Sequence, residues 1–227
     1  LRPAARKAIA LPSAARHTSP MAAMPEWLQW ARELQAISQT GLAYALGEYD
    51  VQRYKRLGAI AAEIAAARAR VPAPALLEAF EAQAGYATPK IDVRGAVVRE
   101  GKILLVREAS DGRWAMPGGW ADVGDTPSGA VAREVREESG FIVAPRKVAG
   151  VFDANRDGTP REFFHAFKII FLCDLEGGEA RPSFETPNVA FFAFDGLPPL
   201  SSLRTNERHL AEVRKHIEDP ARPAAFD

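Results

Sequence analysis

Residues 126–141 read Thr-Pro-Ser-Gly-Ala-Val-Ala-Arg-Glu-Val-Arg-Glu-Glu-Ser-Gly-Phe, a helix signalled at both ends with its acids gathered at the unexpected one. Thr126 suits the N-cap, Pro127 the first helical position, and Gly140 a left-handed stop after Ser139. At about 100° per residue, Val131 and Val135 share a face with Ala132 beside them, so one edge is built to pack on a core. Glu134 and Glu138 stack on the adjoining edge, and Glu137 completes the acidic patch. The C-terminal end of a helix is its negative pole, where cationic side chains belong. Two readings of the helix alone remain open. One is a solvated face with an Arg133–Glu137 pair, which contributes only about 0.3 kcal/mol and leaves three acids at that pole unexplained. The other is a cation beside the patch, since carboxylate oxygens are the hard ligands that Mg²⁺ and Mn²⁺ take.

At 227 residues the chain has room for one domain and a smaller second one. With 29 basic and 29 acidic residues, it carries no net field to draw it to nucleic acid or a membrane surface. No apolar stretch approaches transmembrane length, and neither a membrane nor a nucleic-acid partner is expected. The lone Cys173 ends an apolar run and reads as a small buried hydrophobe; a single cysteine fits a reducing, cytoplasmic compartment. The first 20 residues hold Arg2, Arg6, Lys7 and Arg16 and no acid, a transit-peptide-like composition. The alternative is an upstream extension, with the start at Met21 or Met24. Residues 1–23 are therefore set aside as a disordered or non-native extension.

Helical periodicity begins after Pro25. Trp27, Trp30, Ala31, Leu34 and Ile37 recur at helical spacing, with Gly41 as the expected stop. Asp50 is the expected cap of a second pattern through Val51, Tyr54, Leu57, Ala61 and Ile64. A short third helix is expected over 74–84. Residues 24–86 thus form a small all-helical domain, too small to bury much by itself. Its Trp-Leu-x-Trp stripe reads as core, and the basic run Arg53 to Arg56 as a solvated face. From residue 87 to 227 short apolar runs take over. Residues 91–98 and 102–106 form a hairpin turning at Glu100-Gly101; 141–152, 163–173 and 188–194 are further strands, and 205–217 a final helix. Strands interleaved with helices indicate an α/β layered domain.

Counted from Gly119, the central segment runs Gly, five residues, Asp125, seven residues, Arg133-Glu134-Val135, one residue, Glu137-Glu138, one residue, Gly140-Phe141. It resembles the Nudix box, Gly-x5-Glu-x7-Arg-Glu-aliphatic-x-Glu-Glu-x-Gly-aliphatic. Asp125 stands for the family's Glu, one methylene shorter, which puts its ionic contact with the helix arginine at issue. Phe141 replaces an aliphatic residue, and Gly129 stands where related boxes often carry a Glu that closes a capping box. The resemblance implies a Nudix α/β/α sandwich with a mixed β-sheet, preceded by the helical domain. It implies Mg²⁺ (or Mn²⁺) held by Glu134, Glu137, Glu138 and the Gly118 carbonyl, with Arg133 orienting Glu134. Glu134 or a loop acid would activate water. Glu185 occupies the comparable loop place, with Glu162 and Glu179 behind it.

Similarity extends from Met24 through residues 33–41 and 48–54, Asp92-Val93-Arg94-Gly95, residues 114–120 and the C-terminal residues 223–227. These stretches resemble a Nudix subgroup with a helical N-terminal domain that includes CDP-choline and ADP-ribose pyrophosphatases. That subgroup implies hydrolysis of a nucleoside diphosphate linked to another moiety, and a homodimer. Trp120, Phe152, Tyr86 and the N-terminal tryptophans are candidate walls for the nucleotide substrate, and the loop over 154–158 is a candidate substrate-facing segment. Two other readings stand beside this one: a pool-cleaning nucleoside triphosphate pyrophosphatase, and a catalytically silent ADP-ribose-sensing module.

Overall fold

The computed structural model describes residues 25–68, 71–154 and 164–227. Residues 1–24, residues 155–158 of the candidate loop, Glu162 and Phe163 lie outside the described residues. The chain divides into two compact units. One holds the described residues up to Pro89 with Ala154, Phe164 and His165; the other holds Lys90–Asp153 and Ala166–Asp227.

Three helices form the first unit: α1 (Glu26–Tyr44), α2 (Glu48–Ala66) and α3 (Ala73–Glu81). Leu28, Ala31, Ala61, Ala62, Ala65, Leu76 and Phe80 make its core, and the alanines let the helices lie close. Gly41 does not stop α1. It is a contact point, where a Cβ would lie 2.3 Å from the Tyr54 ring, so the helix runs on to Tyr44. Gly47, not Asp50, is the N-cap of α2. Asp50 pairs instead with Arg53 at 2.7 Å, and Arg56 pairs with Glu63 at 2.8 Å, so the basic run is an exposed, charge-balanced face. In the Trp-Leu-x-Trp stripe Leu28 is buried, Trp27 packs against the core, and Trp30 is exposed.

The second unit comprises β1 (Lys90–Arg99), β2 (Lys102–Arg107), β3 (Trp114–Ala115), α4 (Pro127–Ser139), β4 (Phe141–Asp153), β5 (Ala166–Gly178), β6 (Asn188–Ala193), α5 (Glu207–Glu218) and β7 (Ala225–Phe226). Positive φ at Glu100 and Gly101 closes the β1–β2 hairpin, as a tight two-residue turn requires. The sheet order is β3-β2-β1-β5-β4-β7, with β6 on the other edge of β2. The β1–β5 and β4–β7 pairs are parallel and the others antiparallel, which makes the sheet mixed.

The period-2 alternation of strands sorts the side chains into two cores. Val93, Val97, Phe171 and Cys173 meet Ala130, Val131 and Val135 of α4 on one face. Ala96, Ile170 and Leu172 meet Leu210 and Val213 of α5 on the other. The result is a sheet sandwiched between helices, an α/β/α arrangement. Helix α4 sits close because β1 offers Gly95: a Cβ there would lie 2.4 Å from Cγ2 of Val135. Cys173 belongs to the α4-side core, and burial pushes its thiol up to about 12.

Candidate active site

Residues 117–121 run along the first half of β1. Gly95 N donates to Pro117 O (2.9 Å), Val93 N to Gly119 O (2.8 Å) and Ala121 N to Ile91 O (3.0 Å). Gly118 has φ 147°, and a Cβ on it would fall 2.0 Å from the Val93 carbonyl. Only glycine fits there. The Gly118 N–H donates to Glu138 Oε2 at 2.9 Å, and a Cβ on Gly119 would lie 2.8 Å from Glu134 Oε2. The paired glycines thus bring backbone against two of the three helix acids. Replacing Gly118 with Ala is expected to cost at least about 2 kcal/mol, from φ strain and clash together, measured by urea unfolding.

Helix α4 is placed by its predicted caps. Gly129 N donates to Thr126 Oγ1 at 3.1 Å, and Gly140 adopts φ 80°. Arg133 ties the acidic edge together. Its Nη1 reaches Glu134 Oε1 (2.7 Å) and Glu137 Oε2 (3.3 Å), and its Nη2 reaches Asp125 Oδ2 (3.0 Å). The shorter Asp125 therefore makes the contact that the family's Glu would make. A turn closed by Asp125 N to Asp122 O (3.0 Å) and Asp122 N to Asp125 Oδ2 (3.3 Å) draws it in. The Arg133 hydrogen bond holds the Asp125 carboxyl below its usual range.

The three glutamates differ in surroundings. Glu137 is exposed, Glu134 half-buried and Glu138 buried. Burial raises Glu134 despite Arg133 beside it. Burial also pushes Glu138 up to about 8, with Glu108 and Glu134 adding to the rise and Arg94 and the Gly118 N–H opposing it.

A buried ionic layer that sequence reasoning missed lies on the strands. Arg94 Nε donates to Asp92 Oδ1 (2.8 Å) and its Nη1 to Met116 O (3.3 Å). Lys168 Nζ lies 3.1 Å from Asp92 Oδ2 and donates to the carbonyls of Leu203 (2.8 Å) and Arg204 (2.6 Å). Burial works against the Asp92 carboxylate, but Arg94 and Lys168 prevail and hold its carboxyl low. Glu108, just past β2, is buried with Arg204 Nε 3.2 Å away; burial raises it, and Arg94 acts on both Glu108 and Glu138. The available signal was charged residues at i,i+2 within an apolar strand, Asp92 and Arg94.

Glu185 stands exposed on a turn pinned to this site. Thr186 Oγ1 donates to the Glu138 carbonyl (2.7 Å), and Ala109 N donates to the Glu185 carbonyl (2.8 Å). Glu179 is exposed just beyond β5. Trp120 is 40 % exposed beside the glycine pair, its backbone bridged to Asp92. Phe152 is different: it is 3 % exposed in the α5-side core with Ala149 and Leu210, on the sheet face opposite α4, and so presents no wall to a ligand at the acidic edge. Tyr86 and the tryptophans Trp27 and Trp30 belong to the first unit.

Among the described residues no three His, Cys, Asp or Glu side chains already converge as a ligand cluster. Glu134 is turned to Arg133 and Glu138 to the Gly118 N–H. The donor set is nonetheless all hard oxygen, three carboxylates on one helix edge with a backbone carbonyl beside them, and it fits a divalent cation.

Residues 25–80 match the family model described as a UDP-X-like N-terminal oligomerisation domain, and residues 89–213 match the NUDIX domain model. A relative named "Putative ADP-ribose pyrophosphatase YjhB", from Bacillus subtilis, is 37 % identical over 202 residues, covering 89 % of this chain and 97 % of its own. The ADP-ribose pyrophosphatase of Methanocaldococcus jannaschii is 34 % identical over 119 residues, covering 51 % of this chain and 69 % of its own. The crystal structure of a UDP-X diphosphatase aligns over 89 % of this chain and 98 % of its own, with TM-score 0.58 and 29 % identity. That of an ADP-ribose pyrophosphatase from Streptococcus suis covers 62 % of this chain and all of its own, with TM-score 0.56 and 38 % identity. With the box acids on one helix edge, the Gly118-Gly119 approach and two family models that between them match most of the chain, this protein belongs to the Nudix hydrolases, in the branch with a UDP-X-like N-terminal domain.

Proposed function

We propose that the protein cleaves the diphosphate of a nucleoside diphosphate joined to a second moiety, an ADP-ribose- or CDP-choline-like molecule. The products are a nucleoside monophosphate and the phosphorylated partner. The observation that carries this reading is the acidic edge of α4, with Glu134, Glu137 and Glu138 beside the paired glycines and Arg133 bracing two of them. Glu134, Glu137, Glu138 and the Gly118 carbonyl would hold Mg²⁺ or Mn²⁺. Such an ion, when bound, neutralises diphosphate charge and lowers the pKa of water. Arg133 fixes Glu134 in place through a 2.7 Å hydrogen bond. Glu134, raised by burial, and Glu185, on its pinned turn, would take the proton from attacking water. Trp120 offers a half-open ring beside the glycines for the substrate.

The substrate class draws on the relatives named for ADP-ribose and for UDP-X, which share both units of this chain over nearly their whole length. A pool-cleaning triphosphatase would not account for the helical unit. That unit exposes Trp30, Ile37, Tyr44, Leu46 and Tyr49, apolar surface suited to a second copy, which supports a homodimer as the working form. No described helix is long and apolar enough to cross a membrane.

The test is a panel of ADP-ribose, CDP-choline, UDP-sugars, dinucleotides and nucleoside triphosphates, with and without Mg²⁺, read by product masses. A monophosphate plus a phosphorylated partner from a diphosphate diester supports the reading. Pyrophosphate release from triphosphates alone would replace it.

A further inference from the structure

Residues 183–186 form a tight turn locked from within and without. Ser183 N donates to Thr186 O (3.0 Å), Thr186 N donates to Ser183 Oγ (3.1 Å), and the two hydroxyl oxygens are 2.7 Å apart. Thr186 is fully buried, and its hydroxyl donates to the carbonyl of Glu138; Ala109 N holds the Glu185 carbonyl. Between these anchors the turn carries two side chains at its tip. One is Glu185. The other is Phe184, whose ring is 97 % exposed.

An exposed phenyl on a loose loop can be carried back onto apolar neighbours, but the backbone beneath this one is fixed by the turn's hydrogen bonds and its ring faces water. Two residues span at most about 7 Å, so Phe184 stands within that reach of Thr186, whose hydroxyl grips the end of α4. An aromatic face there, beside candidate metal ligands that would hold a diphosphate, matches one part of a nucleotide: the base, which stacks on a ring whatever its edge groups.

We infer that Phe184 is the platform on which the nucleobase of the substrate stacks, presented by the Ser183–Thr186 turn beside the acidic edge of α4. The inference rests on the proposed function and adds a specificity-determining residue to it. Base recognition through one ring face selects for a nucleoside without choosing among bases, so purine and pyrimidine nucleotides both bind.

The test compares wild type with Phe184→Ala and Phe184→Trp in the full chain. Calorimetric titration with AMP and with UMP requires no turnover. Phe184→Ala should weaken both about tenfold, and Phe184→Trp should restore them. In turnover of the best substrate of the panel, Phe184→Ala should raise KM about tenfold and leave kcat within about twofold. Hydrolysis of 5-phosphoribosyl diphosphate, which has no base, should be unaffected. Unchanged nucleotide binding in Phe184→Ala, an equal loss with the base-free substrate, or a changed sedimentation coefficient would each overturn the inference; the last would make Phe184 a contact between copies of the chain. If wild type binds AMP through Phe184 yet cleaves no diphosphate diester, the base platform stands and the proposed reaction fails.

Discussion

Glu138→Gln should lower kcat about a thousandfold or more and, in the metal-free protein, raise the thermal midpoint. The two effects share one cause. Glu138 is buried between Glu108, Glu134 and Arg94, with its Oε2 on the Gly118 N–H. A glutamine can still accept that hydrogen bond, so the glycine segment stays in place. The negative charge is lost, and with it the burial cost and the repulsion that raise this carboxyl. A gain of about 1–2 kcal/mol corresponds to about 2–8 °C for a chain of this size. The same charge is what a bound cation needs. Losing several kcal/mol of charge stabilisation at the reacting phosphate corresponds to about three orders of magnitude in rate. Calorimetric melting beside steady-state turnover separates the outcomes. Lost activity with a lower midpoint means that the fold was damaged, and unchanged kcat removes Glu138 from the mechanism.

The second large effect is on the pH dependence of stability. The Glu138 carboxyl is raised in the folded protein to about 8, well above its ordinary range. Its contribution to stability is therefore complete at low pH, where both states are protonated. It is lost as pH rises through the folded value, because the unfolded chain ionises freely and the folded one does not. Between the ordinary carboxylate range and pH 6.5 the effect is partly masked. Burial holds His209 down at about 3, so its contribution grows as pH climbs to 6.5. Lys168, lowered by burial to about 8, adds stability as pH rises from about 8 towards 10.5. The window that belongs to Glu138 is therefore pH 6.5 to 8. There the metal-free wild type should lose up to about 2 kcal/mol, or about 4–8 °C. Glu138→Gln should show no such loss, and millimolar Mg²⁺ should abolish it in wild type by giving the ionised carboxylate a partner. Parallel curves for the two proteins across this window would contradict the assignment.

Much of the site was legible because it is local. Caps, helical phase and glycine spacing act within some 25 residues, and α4 has the predicted Thr126 and Gly140 ends and an apolar face inward. The β1–β2 hairpin was equally local. What was not legible depends on contacts distant in sequence. Gly41 reads as a helix stop until Tyr54 is seen lying against it. Asp125 looks too short until the Asp122 turn carries it to Arg133. Phe152 reads as a candidate substrate wall because an aromatic side chain suits a base pocket and a core equally, and only its packing with Ala149 and Leu210 decides between them. Asp92, Arg94 and Lys168 are buried only because they find one another, through a strand pairing that joins β1 to β5.

The acidic edge of α4 as a divalent-cation site is the claim on which the proposed hydrolysis rests, and Mn²⁺ binding followed by electron paramagnetic resonance at pH 8 addresses it without a substrate. Wild type should take up Mn²⁺ saturably, Mg²⁺ should compete, and Glu134→Gln with Glu138→Gln should weaken binding by more than about tenfold. Equal Mn²⁺ uptake by wild type and the double variant would contradict it.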